Sequence, residues 1–100
     1  MENLKDKIMQ KLKEVKDPEL GFSVVDLGYI TKIEELGESK VKIWIVLTTP
    51  LCPYGGLIFE SVEMAARSVE GVKDVLLEYD WDHPWSVDRV APEVRKKLKI

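Results

Sequence analysis

Leu4, Ile8, Leu12 and Val15 recur at spacings of four, four and three, with charged residues filling the gaps. That period gathers the apolar positions on one side of a helix, and Pro18 helps to end it. Asp17-Pro18-Glu19-Leu20-Gly21 combines a capping residue, a proline suited to a first helical position and a glycine stop, which predicts a single capped turn. Val24-Val25-Asp26-Leu27-Gly28 leads into a first strand over Tyr29 to Leu36, where Ile30 and Ile33 break strict alternation. Gly37-Glu38-Ser39 is a turn signal before a clearer strand, with Val41, Ile43, Ile45 and Leu47 on one face and Lys42, Trp44, Val46 and Thr48 on the other. The two read as a β-hairpin.

After Thr48-Thr49-Pro50-Leu51-Cys52-Pro53-Tyr54-Gly55-Gly56 the period becomes helical again. Ile58, Val62, Ala65 and Val69 predict a second helix from about Pro53 to Glu70, stopped by Gly71. Val75, Leu77 and Tyr79 alternate in a third strand, Val72 to Asp80. Trp81-Asp82-His83-Pro84-Trp85 is a loop whose tryptophans are expected to pack onto the sheet. Pro92 opens a short basic helix to Lys99, in which Arg95, Lys96, Lys97 and Lys99 complement the helix dipole or form a docking patch. The order α-β-β-α-β-α implies an α+β, two-layer sandwich: a three-stranded sheet with helices on one face and the face of Lys42 and Trp44 partly open.

The 100 residues contain no repeat or linker, so residues 1–100 are expected to form a single domain. A hydrophobic fraction of 45% with 33% charged residues is too apolar for disorder and too charged for a membrane protein. The longest unbroken apolar run is Ile43 to Leu47 and the N-terminus has no apolar signal region, so a cytoplasmic protein without membrane contact is expected. A net charge of −3 lacks the basic footprint of a nucleic-acid binder. The single Asn and single Gln beside many Lys and Glu lean toward a thermophilic source. One cysteine excludes an internal disulfide and a Cys₄ metal site within one chain.

That cysteine is the first candidate for chemistry. With Pro53 at the first helical position, Cys52 falls at the N-cap, facing unpaired N–H groups and the positive end of the helix dipole, both of which favour thiolate. Gly55 and Gly56 weaken the helix but clear side chains from around the sulfur. The alternative is a buried cysteine acting as a small hydrophobe. Thr48 and Thr49 could donate to a thiolate, a sulfide or an oxyanion, or simply end the strand. Asp17 and Glu19 are either a cap and a solvated carboxylate, or an iron ligand or base near Cys52. His83, the only histidine, could join Cys52 and a carboxylate at a metal, though no spacing requires it. No phosphate-binding glycine pattern, metalloprotease pattern or readable Cys-His pair is present.

Three segments in register carry a resemblance: Asp17-Pro18-Glu19-Leu20-Gly21 with Val25-Asp26-Leu27-Gly28, then Thr48-Thr49-Pro50-Leu51-Cys52-Pro53, then Trp81-Asp82-His83-Pro84-Trp85. Together they resemble the small iron–sulfur cluster assembly domain of SufT-like and PaaD-like proteins and of the eukaryotic cytosolic targeting factor. The resemblance spans nearly the whole chain and implies the same α-β-β-α-β-α sandwich. It implies a maturation factor that helps clusters form on, or reach, other proteins, with Cys52 as the functional cysteine and Asp17 and Glu19 in a polar group beside it. The usual Asp-Pro-Pro-Trp reads Asp82-His83-Pro84-Trp85 here, so the family offers no role for His83.

One thiolate cannot hold a cluster that normally takes about four protein ligands. A carrier or adaptor is therefore expected, with no stably bound cofactor and only transient iron or cluster. Its partners would be a scaffold or P-loop carrier ATPase and client apoproteins, with a homodimer as one source of further ligands. Two other readings stay open. A KH-like nucleic-acid or anion-binding module shares the element order, but Tyr54-Gly55-Gly56-Leu57 lacks the Gly-x-x-Gly spacing and basic residues. A thiol enzyme with Cys52 as nucleophile lacks an evident base.

Overall fold

Alternation sets the centre of the molecule. In the computed structural model, which describes residues 3–18, 20–47 and 55–99, Val41, Ile43 and Ile45 are all fully buried on one side of strand β2 (Lys40–Ile45). β2 pairs antiparallel with β1 (Ile30–Gly37) and parallel with β3 (Asp74–Tyr79), giving the order β1-β2-β3. Parallel pairing needs a crossover, and α2 (Gly55–Arg67) lies within it. Ile8 and Leu12 of α1 (Leu4–Leu12) and Ile58, Val62 and Ala66 of α2 close over the inner face. Val90 and Val94 join the same core, the latter from α3 (Pro92–Leu98), whose proline opens it as expected. None of the described helices is long and apolar enough to cross a membrane.

The broken alternation of β1 is a β-bulge. Ile30 pairs with Ile45 and Ile33 with Ile43, so one extra residue, Thr31, sits between them and both isoleucines face the core side. On the open face Trp44 lies near two ammonium groups, 4.9 Å from Lys32 and 4.6 Å from Lys42 to the ring centroid. Lys42 is also paired with Glu78 at 2.8 Å.

Several expectations need correction. α1 ends at Leu12 rather than running through Val15, because Val15 accepts the Val24 N–H and Lys16 bridges Ser23. Strand-like pairing across this loop overrides the helical spacing. β2 ends at Ile45, and Val46 is fully buried although it stands outside the core cluster that holds Ile45 and Leu47; its N–H donates to the Tyr29 carbonyl at 2.8 Å. α2 ends at Arg67 and buries Ala66 rather than Ala65, with Val69 in the turn before Gly71, whose φ of +97° supplies the expected stop. A 3-10 turn, Val87–Arg89, precedes α3 and has no counterpart in the sequence pattern. Trp81 does not pack down: it is 71% exposed and leans on Tyr79, ring centroids 4.3 Å apart.

Trp85 does anchor its loop. Three successive carbonyls, those of Asp26, Leu27 and Gly28, accept from Ala91 N–H (2.8 Å), Trp85 Nε1 (2.7 Å) and Arg89 Nε (2.9 Å). The approach is close enough to require glycine at 28. Its φ is +77°, and a Cβ there would lie 2.5 Å from both Arg89 Cβ and the Arg89 carbonyl oxygen.

Candidate functional site

Asp17 is 4% exposed and sits at the neck of a loop closed by its own backbone. Its N–H donates to the Phe22 carbonyl at 2.9 Å, and its carbonyl accepts the Gly21 N–H at 2.8 Å. Oδ1 accepts the Leu20 N–H at 3.2 Å, so the expected cap is present. The other oxygen, Oδ2, accepts the Tyr29 hydroxyl at 2.8 Å in a buried contact. A cap does not need burial or a tyrosine. Asp17 is thus a carboxylate drawn into the protein and oriented from two sides.

Tyr29 links that carboxylate to the next segment, since its carbonyl holds Val46 near the end of β2. Leu47 is buried, and a Cβ built on Gly55 would lie 3.1 Å from Leu47 Cδ1, so the two residues flanking 48–54 are in contact. Gly55 and Gly56 form the first turn of α2, as expected, with open space around Gly56. Glu19, Thr48, Thr49, Pro50, Cys52 and Pro53 lie outside the described residues.

A second polar cluster is centred on Asp80, just past the end of β3, where the sequence pattern marks only a strand end. Asp80 is 7% exposed. Oδ2 accepts the Thr31 hydroxyl at 2.7 Å, while Oδ1 accepts the N–H groups of Asp82 and His83, both at 3.1 Å. His83 Nδ1 lies 3.1 and 3.0 Å from the two oxygens. A carboxylate only accepts, so in this contact Nδ1 carries the hydrogen. The Thr31 hydroxyl holds the Asp80 carboxyl below its ordinary value of 3.8; burial opposes this, and His83 and the Asp82 N–H reinforce it. The signal available in the sequence was an aspartate followed within three residues by a turn, where its side chain can cap its own backbone. Thr31, Trp44, Asp80, His83 and Arg89 border a concavity of about 450 Å³ on the open side of the sheet.

Among the described residues no group of three or more His, Cys, Asp and Glu is placed to hold a metal ion. His83 is engaged with Asp80, and its side chain is otherwise 70% exposed.

Comparison with known proteins agrees with this architecture. A family model described as "Iron-sulfur cluster assembly protein" matches residues 5–77. The chain is 33% identical over 99 residues to the "Fe-S protein maturation auxiliary factor YitW" of Bacillus subtilis, covering 99% of this chain and 97% of that protein. It is 38% identical over 76 residues to an "Iron-sulfur cluster carrier protein" of Deinococcus radiodurans, covering 76% of this chain but 21% of that longer protein. A crystal structure of a "Domain of Unknown Function DUF59" from Bacillus anthracis superposes with a TM-score of 0.89 at 28% identity, covering 97% of this chain and 92% of the other. With a family model spanning most of its length and a relative matched from end to end, the chain belongs to the iron–sulfur cluster assembly protein family.

Proposed function

We propose that this protein is an iron–sulfur cluster maturation factor that helps clusters form on, or reach, recipient proteins. Family membership carries the reading, supported by the names of the matched maturation factor and cluster carrier. The cluster is cargo rather than a resident group. Cys52 supplies the functional thiolate, and Asp17, Glu19, Thr48 and Thr49 form its polar surroundings. The observation that favours Asp17 is its burial against Tyr29, the residue that also holds Val46 ahead of the Cys52 segment.

A lone thiolate leaves most of the roughly four ligand positions of a cluster to be filled from elsewhere. The chemistry therefore suits a carrier or adaptor that shares cargo with a scaffold, a carrier ATPase and a client apoprotein, and it requires no catalytic step. Anaerobic reconstitution with iron and sulfide, with and without a scaffold protein, tests this by absorbance. Cluster absorbance and recipient maturation that depend on Cys52 support the reading; maturation at the wild-type rate in Cys52→Ser overturns it.

A further inference from the structure

The two edges of the sheet are built differently. β1 carries register shifts at Thr31 and Leu36 and a run of charged residues, Lys32, Glu34 and Glu35. Bulges and charges are devices that stop an edge from accepting another strand. β3 has neither bulge nor proline, and its pairing to β2 is regular over all six residues. Its two carboxylates are tied to cations of the same chain, Asp74 to Arg67 at 3.3 Å and Glu78 to Lys42 at 2.8 Å.

The Asp80 N–H donates inward to the Ile45 carbonyl, which fixes the parity of the strand and turns the backbone groups of Val75, Leu77 and Tyr79 outward. The Val75 N–H is closed off by Asp74 Oδ1 at 3.0 Å. Among the described residues, no backbone hydrogen bond reaches the outward groups of Leu77 and Tyr79. Exposed apolar side chains flank this edge: Leu76 at 49% and Trp81 at 71%.

We propose that the outer edge of β3 pairs antiparallel with β3 of a second copy of this chain, joining two three-stranded sheets into one. Centred on Leu77, that register sets Leu77 against its own copy and Val75 against Tyr79, where the Tyr79 N–H meets the Val75 carbonyl while the Val75 N–H stays with Asp74; the side chains form an aromatic and β-branched pair of the kind that stabilises neighbouring strands. Leu76 comes opposite Glu78, and Trp81, just past the strand, comes level with Lys73. Two-fold symmetry repeats each of these contacts except that of Leu77 with its copy, which lies on the axis. The unfavourable meeting is Asp74 with Asp80, and each is already bonded within its own chain. A dimer also brings two copies of Cys52 into one particle; that consequence rests on the proposed function, whereas the pairing does not.

Sedimentation equilibrium of the metal-free wild-type chain, with amide exchange at several concentrations, tests the pairing separately from any role in maturation. A dimer is expected, with Leu77 and Tyr79 amides gaining protection as it forms. Leu76→Glu places like charges opposite each other twice and should weaken the dimer by about tenfold, while Leu76→Glu with Glu78→Lys restores it. A chain that stays monomeric at about millimolar concentration overturns the proposal. So does a dimer indifferent to Leu76→Glu, or one that leaves the Leu77 and Tyr79 amides unprotected. The wild-type exchange data decide the matter even if a variant fails to fold.

Discussion

The hydroxyl of Tyr29 donates to the buried carboxylate of Asp17 across twelve residues of chain, at 2.8 Å. The bond joins the first motif of the family to the start of the sheet. Tyr29→Phe removes it and leaves a buried oxygen with one donor fewer, a loss of about 1–3 kcal/mol. Each kilocalorie lowers the melting temperature of a domain this size by roughly 4–8 °C. A melt indistinguishable from wild type would show that the bond contributes nothing.

Asp17→Asn separates structure from function at the same position. Asparagine keeps the cap through its one oxygen but turns an NH2 donor toward the Tyr29 hydroxyl, so Asp17→Asn should cost less than Asp17→Ala, which loses the cap and the Tyr29 bond together. If the negative charge serves maturation, the asparagine variant stays folded at the assay temperature, melting above Asp17→Ala, yet fails in a recipient-maturation assay. Wild-type activity would reduce Asp17 to a cap.

Cys52→Ser should retain the fold and lose maturation, because serine is a good capping residue but a poor ligand for iron or sulfide chemistry. Circular dichroism and a maturation assay on the same preparation check both halves. A large drop in melting temperature would make Cys52 structural.

Asp80 makes stability depend on pH with a defined sign. Its folded pKa lies below its ordinary value of 3.8, so its stabilising contribution is complete above that value and disappears as pH falls through the lower, folded pKa. Thr31→Val removes the largest cause, raises the folded pKa and shifts the carboxyl titration upward. Carbon NMR of the Asp80 side chain reads this directly; an unchanged titration would remove Thr31 from the account.

Gly28→Ala forces a left-handed backbone on a residue with a side chain and drives its Cβ into Arg89. A loss of about 2 kcal/mol or more is expected in urea unfolding. Adding Arg89→Ala should not rescue it, because the obstructing atoms are the Arg89 Cβ and backbone carbonyl.

Period was legible wherever a single element decided burial. Val41, Ile43 and Ile45 announced the central strand, and Ile8, Leu12, Ile58 and Val62 announced the two helices that cover it. Legibility failed where distant pairing took over. Val15 fits a helix by spacing but is held by Val24, and Val46 fits an exposed strand position but is fully buried, with its backbone bonded to Tyr29 instead of to a neighbouring strand. The Asp17 cap could be read from its neighbours, while its bond to Tyr29 could not, since no local pattern encodes a partner twelve residues on. The Asp80 cluster is hidden in the sequence for a similar reason: Thr31, its partner at 2.7 Å, lies 49 residues away.

The row of carbonyls at Asp26, Leu27 and Gly28 has a kinetic consequence. Their donors at Trp85, Arg89 and Ala91 come from about sixty residues further along the chain. Closing so long a span carries an entropic penalty that local hairpins and helices avoid, so such contacts tend to form late. The β1–β2 hairpin can assemble while these carbonyls are still hydrated. Docking of the 85–91 segment is therefore expected to follow the hairpin, burying Val90 as it closes.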